Sequence, residues 1–218
     1  MSMSVSAGAT PVSFTKKGAA TRARIIDAAS ELIFDRGVAR TAVEEVQKKA
    51  NVSPSQLYHY FGDKESLVRA VIARQTDYTI NAQQPELGNL DSMAALRAWR
   101  DRVVQIQRDA HCEGGCALGS LASELSKNNE SSRMDLVDGF ERWEAELRRG
   151  LRSMKDSGQL RADAEPDQLA VALLSALEGG SLLTETRRSI EPVQIAVDAM
   201  LNYIETFVQS SPVVSAGA

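Results

Sequence analysis

The sequence has few cysteines, few histidines and no long hydrophobic run, and each shortage excludes a class of protein. Two cysteines are too few for a disulfide-rich scaffold. Only His59 and His111 are present, with no nucleophile elbow or phosphate-binding loop, so we do not expect an enzyme. No run of about 18 apolar residues occurs, so we expect neither a spanning helix nor a membrane partner. The first fourteen residues contain no Lys or Arg, so we predict no secretory signal and a cytoplasmic location.

The composition suits a compact chain of ordinary size whose charges are unevenly divided. Of the 218 residues, 43% are hydrophobic and 25% are charged, which is enough apolar material for a core without disulfides. The segment from Lys16 to Lys64 holds nine basic and six acidic residues. The rest holds 16 basic and 23 acidic residues, which brings the net charge to −4. We therefore expect an anionic partner for the N-terminal quarter only.

Hydrophobic spacing predicts helices throughout, so we assign the chain to the all-α class with about nine helices. No alternating strand pattern or hairpin signal interrupts them. The first predicted helix spans Thr21 to Arg36, and the seventh begins with a capping box at Ser132. Pro166 and Pro192 are predicted to open the last two helices.

Two short helices separated by a tight break are predicted between residues 41 and 61. Thr41 and Glu44 have the spacing of a capping box for the second helix, and Ser53 and Gln56 have the same spacing for the third. Asn51 lies between them and can adopt a positive φ, which suits a tight turn. The spacing predicts a helix-turn-helix.

The segment from Thr41 to Val68 carries several residue types at fixed spacing. A Thr opens the second helix, a Val-Ser pair opens the third, aromatic side chains follow, and a Lys-Glu pair precedes a Leu. These are Thr41, Val52-Ser53, Tyr58, Tyr60, Phe61, Lys64-Glu65 and Leu67. On these positions, residues 21–68 resemble the DNA-binding domain of the TetR (tetracycline-repressor-like) family of bacterial transcriptional regulators. The stretch from Gly115 to Ser126 also resembles a segment at the start of the sixth helix in one branch of that family.

Three positions depart from the usual family pattern. The usual Ile-Ala of the second helix is Val46-Gln47, the usual Gly of the turn is Asn51, and a usual Gly in the third helix is Ser55. The first two changes are compatible with the geometry of the motif. Ser55 changes the surface that would face DNA, so the operator sequence does not follow from the resemblance.

The resemblance implies a repressor that binds a palindromic operator as a homodimer and is released by a small-molecule effector, without a cofactor. The Ser-, Ala- and Gly-rich ends are predicted to be flexible tails at 1–17 and 210–218. Between them, the resemblance implies a helix-turn-helix DNA-binding domain at 18–65 and a ligand-binding and dimerisation domain at 66–209.

The third helix is short enough to present its first turns to the base edges of a major groove. Ser55 and Gln56 are the predicted base readers, with Tyr58 directed to a phosphate or thymine methyl group. The other predicted DNA contacts are Arg40, Thr41, Ser53, His59, Tyr60 and Lys64. A capping role alone would also explain the presence of Gln56. Thr41 is expected to combine a capping role with its DNA contact. For His59 the alternative is a partly buried ring that does not reach DNA.

The last two helices carry more apolar surface than one buried face needs, which predicts a dimer interface. In the family, the matching helices form a four-helix bundle across a two-fold axis. The predicted interface residues are Ala172, Ser175, Ala176, Gly179, Val193, Val197, Met200 and Ile204.

The helices between residues 64 and 158 are predicted to enclose a pocket for a small apolar or amphipathic effector. The alternative is that these side chains form plain core. The candidates are Tyr78, Met93, Leu96, Trp99, Val103, Gln105, Leu121, Leu125, Phe140, Trp143 and Leu147.

Two alternatives remain open from the sequence. His111, Cys112, Glu113 and Cys116 lie within six residues, which is compatible with a DNA-binding thiol or metal sensor, although no metal ligand set is assigned. Buried structural cysteines explain the same pattern. The other alternative is a helical ligand-binding protein without DNA binding, which the capped helix-turn-helix disfavours.

Overall fold

The computed structural model describes residues 14–209, and over these residues it confirms the all-α class. Nine α-helices and one short 3₁₀ helix follow one another, with an isolated antiparallel bridge between Leu160 and Val208. The predicted C-terminal tail and most of the predicted N-terminal tail lie outside the described residues. The helices are α1 (Lys16–Arg36), α2 (Val43–Ala50), α3 (Pro54–Phe61), α4 (Lys64–Ala82), a 3₁₀ helix (Glu86–Asn89), α5 (Met93–Asp109), α6 (Ala117–Leu125), α7 (Glu130–Asp156), α8 (Pro166–Arg187) and α9 (Glu191–Glu205).

Two helices begin earlier than predicted because side chains upstream cap them. The Thr15 hydroxyl accepts a hydrogen bond from the Gly18 N–H at 3.1 Å, so α1 begins at Lys16. The Asn129 side chain accepts from the Ser132 N–H at 2.7 Å, so α7 begins before Ser132. Each cap satisfies an N–H group that the first turn of a helix leaves unpaired.

The predicted capping box of α2 is wrong by one residue. The Thr41 hydroxyl donates to the Gly37 carbonyl at 2.8 Å and is therefore not the N-cap acceptor. Ala42 takes the N-cap position, and the Glu45 carboxylate accepts from its backbone N–H at 3.1 Å. This hydrogen bond lowers the pKa of Glu45.

The turn and the start of α3 form as the sequence predicts. Asn51 adopts φ 50° and ψ 58°, in the left-handed region that a tight turn requires. The exposed Ser53 accepts from the Gln56 N–H at 3.2 Å, and the Gln56 side chain accepts from the Ser53 N–H at 2.9 Å. The capping box of α3 is therefore confirmed.

The described residues contain two hydrophobic clusters, and the first of them extends into α4 beyond residue 65. The head cluster joins α1–α4 to Leu118 and Leu121 of α6 and Leu136 of α7. The body cluster is formed by the rest of α7 with α5, α8 and α9. The half-buried Cys116 and Phe140 pack against both clusters. The head is thus packed onto α6 and the start of α7.

Helix α8 is long and apolar enough to cross a membrane by length and composition alone, with 44% of the relevant window buried inside the protein. It packs against both α7 and α9. A Cβ at Gly180 would lie 2.8 Å from the Val193 Cα, so glycine permits the close approach of α8 and α9. This packing accounts for the apolar residues on the inner side of the helix.

Candidate functional site

Helix α3 buries one face and presents a polar face opposite to it. Leu57 and Phe61, four residues apart, pack into the head cluster. Ser55 and His59 therefore occupy the centre of the opposite face, next to Gln56, and all three are exposed. The side chains that were predicted to reach DNA bases are thus on the surface, where a partner can contact them.

Two tyrosines lie on the flanks of this exposed face. Tyr58 is 51% exposed. Tyr60 is half-buried, with its ring centroid 5.3 Å from that of Phe14 and 5.2 Å from that of His59. The two tyrosines therefore point to different sides of α3, and Tyr60 is fixed by packing at the start of α1.

The three predicted contacts at helix starts have different surroundings. Arg40 is exposed and forms no ion pair with any described residue. Thr41 is only 3% exposed and its hydroxyl is used within the loop, so its predicted DNA contact through the side chain is corrected. Lys64 is half-buried, and its amine donates to the Val38 carbonyl at 2.8 Å, which leaves two donors for another partner.

The loop between α1 and α2 is held from two directions. The Glu124 carboxylate on α6 accepts from the Val38 N–H at 2.9 Å and from the Ala39 N–H at 2.8 Å. Lys64, at the start of α4, binds the Val38 carbonyl of the same loop. Hydrogen bonds to a charged group are the stronger kind, so Glu124 ties the head to α6.

Two cavities lie on either side of Phe34. One of about 360 Å³, the interdomain cavity, lies between α1, α4, α6 and the end of α8. The other, of about 340 Å³, is the body cavity between α4, α5, α7 and α8. Phe34 of α1 and Gly114 of the α5–α6 loop line both, and a Cβ at Gly114 would collide with the Phe34 ring. The body cavity is lined by Phe34, Gln75, Tyr78, Thr79, Ala82, Gln83, Val103, Ile106, Gln107, Ala110, Glu113, Gly114, Gly115, Cys116, Ala117, Trp143, Leu177 and Ser181.

The polar groups of the body cavity are partly paired with one another. Both tryptophans donate to Gln83, with the Nε1 of Trp99 at 2.8 Å and that of Trp143 at 3.3 Å from its Oε1. Gln107 donates from Nε2 to the Ser181 hydroxyl at 3.2 Å. All of these side chains are buried, and buried polar groups need such partners.

Four of the eleven predicted pocket residues line a cavity. Tyr78, Val103 and Trp143 line the body cavity, and Leu121 lines the interdomain cavity.

The other seven predicted pocket residues do not line either cavity, and this corrects the prediction. Leu96, Trp99 and Leu147 are fully buried within the body cluster, where neighbouring side chains already surround them. Gln105 is exposed and donates to Asp109 at 2.7 Å. The remaining three pack against the cluster surfaces: Met93, Leu125 and Phe140.

Three predicted interface residues are also corrected. Val193, Val197 and Ile204 have no exposed surface, because α9 directs them into the body cluster. Met200 is half-buried against the same cluster. Ala172, Ser175, Ala176 and Gly179 keep some exposure on the outer side of α8.

Several large apolar side chains on α8 and α9 are instead directed outward. Leu182 and Ile195 are 63% and 67% exposed. With the small residues of α8, they form an outer face that we call the α8–α9 face. Its exposed apolar members are Val171, Leu182, Leu183, Ile195 and Tyr203.

The two free cysteines have different environments. Cys116 caps α6, accepting from the Gly119 N–H at 3.4 Å, and burial followed by the charge of Glu178 raises the pKa of its thiol. Burial also raises the pKa of Glu178, whose Oε1 has no hydrogen-bond partner among the described residues. Cys112 is half-buried with a positive φ of 57°. A scarce thiolate at Cys116 disfavours the thiol-sensor alternative.

Sequence reasoning missed Phe34, Gln107 and Ser181. Phe34 carried a detectable signal, because it lies next to Ile33 and off the buried face of α1, and an aromatic residue at an exposed position indicates a contact beyond the helix. Gln107 and Ser181 gave no such signal, since only the packing of α5 against α8 brings them together.

Comparisons with known proteins match most of the described chain. The family described as "Bacterial regulatory proteins, tetR family" matches residues 25–71, and "Tetracyclin repressor-like, C-terminal domain" matches residues 92–200. The Transcriptional regulator AcuR of Cereibacter sphaeroides is 28% identical over 171 residues, with 78% of each chain covered. The HTH-type transcriptional repressor DhaR of Mycobacterium sp. is 24% identical, covering 79% of this chain and 86% of that protein.

A solved structure gives the same fold. The regulatory protein TetR from Rhodobacter sphaeroides superposes with a TM-score of 0.73 at 24% identity, covering 84% of this chain and 98% of that one. At this identity the likeness concerns the fold alone. Together with the helix-turn-helix and the two matching domains, it completes the assignment: the chain belongs to the TetR family of bacterial transcriptional regulators.

Proposed function

We propose that the chain is a cytoplasmic repressor that binds a palindromic DNA operator as a homodimer and releases it when a small molecule occupies the body cavity. The observation that carries the proposal is the exposed polar face of α3 opposite its buried Leu57 and Phe61. Such a helix fits the major groove with its first turns toward the bases. Ser55 and Gln56 contact base edges in this arrangement.

The residues around α3 supply contacts to the DNA backbone. Tyr58 and His59 are exposed beside the base-reading positions, and Arg40 adds a positive charge that no described acidic residue pairs. Lys64 has two donors left, and Tyr60 offers its hydroxyl from the flank of the helix. Phosphate contacts of this kind position the helix, whereas the base contacts specify the sequence.

The α8–α9 face supports the homodimer. An exposed apolar surface of this kind is unusual on a protein that acts alone, and polar substitutions there would cost a monomer little. A Cβ at Gly179 would meet nothing within 4 Å, so the face also has room for close approach of a second helix. A two-fold axis through this face would hold two heads for the two halves of a palindrome.

Coupling between ligand and DNA follows from the contacts around the α5–α6 loop. Gly114 of this loop lies against Phe34 of α1, and α6 holds the α1–α2 loop through Glu124. A ligand that binds best when the α5–α6 loop has moved would displace α1, and the head would move with it. By linkage, DNA and ligand weaken each other's binding equally, by about 1–3 kcal/mol.

The direct test selects a binding site from a pool of random palindromic duplexes and measures affinity by fluorescence anisotropy. We expect affinity to fall about a thousandfold between ~50 and ~200 mM salt, as phosphate contacts require. Gln56→Ala should alter the preferred bases, with Gln105→Ala as a surface control far from α3. Affinity that is independent of salt, or no selection of any palindrome, would contradict the proposal.

A further inference from the structure

The body cavity offers no positive charge to a ligand. Of the described residues that line it, none is Lys, Arg or His. Its carboxylate, Glu113, stands at the rim with 67% of its side chain exposed, 3.9 Å from the guanidinium of Arg188, which does not line the cavity. An anion that entered the cavity would lose its water without gaining a counter-charge from any lining residue. Burial of an unpaired ion costs several kcal/mol.

The interior of the cavity is also unsuited to a cation. The rest of its wall is made of apolar side chains, carboxamides, hydroxyl groups and the Cys116 thiol. Apart from the exposed Glu113, no Asp or Glu is among the described residues that line the cavity. Burial raises the pKa of the Cys116 thiol, which disfavours its thiolate. A buried ammonium group would therefore have no ionised partner inside the cavity, and the exposed Glu113 would interact with it only weakly through water.

One of the two buried carboxamides of the wall has an oxygen available to a ligand. Gln107 is 8% exposed and donates from Nε2 to Ser181, whereas its Oε1 accepts no hydrogen bond from any described residue. Gln83, by contrast, already accepts from both tryptophans. Of these two buried carboxamides, Gln107 is therefore the one whose side-chain oxygen can accept from a ligand without displacing another donor.

We propose that the body cavity selects an uncharged, mostly apolar molecule that places a single hydrogen-bond donor against Oε1 of the Gln107 side chain. The volume of about 340 Å³ accommodates roughly ten non-hydrogen atoms, at about the 30 Å³ that a water molecule occupies in the liquid. This assignment deepens the proposed function, because it names the class of the effector.

Ligand binding can be followed without DNA through intrinsic fluorescence, because the chain has only two tryptophans and Trp143 lines the cavity. Benzyl alcohol, benzoate and benzylammonium provide three probes of similar size and different charge. We expect saturable binding of benzyl alcohol, with both ions weaker by at least about a hundredfold. Equal or tighter binding of either ion, or the absence of binding by all three, would overturn the proposal.

A matched pair of variants tests the hydrogen bond. Gln107→Met keeps the size of the side chain and removes its carboxamide, so benzyl alcohol should bind about threefold to tenfold more weakly. Gln105→Met, on the exposed side of the same helix, should leave binding unchanged. Thermal unfolding of each variant confirms that it folds, and equal affinity in both folded variants would contradict the role of Gln107.

The two proposals fail in different ways. If the ligand class is wrong, benzoate or benzylammonium will bind in the fluorescence titration while the selected palindrome is still bound. If the repressor assignment is wrong, no palindrome will be bound, whatever the titration shows. The wild-type chain serves for both measurements, so neither outcome depends on a variant.

Discussion

The head and the body of this protein place their functional groups by different physical means. In the head, short-range hydrogen bonds orient the exposed face of α3, with Ser53 and Gln56 capping each other and Asn51 closing the turn. In the body, the cavity exists because helices distant in sequence pack around a space. Gln107 and Ser181, which are bonded to each other, lie 74 residues apart.

This difference explains why the two regions respond differently to change. A side chain on the exposed face of α3 can be replaced without disturbing the packing of Leu57 and Phe61 beneath it. A replacement in the wall of the body cavity alters a site and a hydrophobic core together. The head is therefore suited to altered specificity through few substitutions, whereas a change of ligand in the body requires compensation in several helices.

The largest effect on DNA binding should come from a charge on the α8–α9 face of the body, because the heads depend on this face through dimerisation. Leu182→Asp places a charge on the α8–α9 face, where Leu182 is 63% exposed. We expect monomers by light scattering and about a thousandfold weaker binding of a palindrome, because two linked heads gain from a high effective concentration. Met134→Asp, at a 51% exposed position on α7, is the control. A variant that remains dimeric would place the interface elsewhere.

The next prediction concerns stability and tests whether the two hydrophobic clusters unfold separately. Leu57 and Leu147 are both fully buried, one in each cluster, and truncation of either to Ala should cost about 3 kcal/mol. Both tryptophans belong to the body cluster, so fluorescence follows the body while circular dichroism follows all helices. Leu57→Ala should lose helical signal before tryptophan signal on heating. Coincident transitions in both variants would show that the clusters unfold as one unit.

The sequence predicted the parts that local rules determine. The turn at Asn51 and the capping box of Ser53 and Gln56 follow from residue types at short spacing. The outer face of α8 and α9 was predicted only in part, since periodicity shows that a helix has surplus apolar surface but not which side its own core takes. For this reason Val193 was assigned to the interface although it is buried in the body cluster.

A smaller effect on stability and on the response to ligand is expected at Glu124, whose hydrogen bonds join the head to α6. Glu124→Gln removes the charge that binds the Val38 and Ala39 N–H groups, and we expect a loss of about 1–2 kcal/mol in stability. The head should become less sensitive to the effector, so a saturating ligand should weaken DNA binding less than in the wild type. Glu130→Gln, which loses an exposed pair with Arg133, is the control. An unchanged response to ligand would show that the signal travels by another route.

Oxidants should have the smallest effect on DNA binding, because burial raises the pKa of the Cys116 thiol, which packs against both clusters. The raised pKa of Cys116 means that its thiolate is scarcer at neutral pH in the folded chain than in the unfolded one, and that it appears only as the pH rises above the usual thiol range. In a Cys112→Ser chain, alkylation by iodoacetamide, followed by mass spectrometry, should be slow when folded and fast in urea. The operator affinity of the wild type should be unchanged by mild peroxide. Rapid alkylation of the folded chain at neutral pH, together with loss of DNA binding on oxidation, would instead favour a thiol sensor, because only an accessible thiolate reacts in that way.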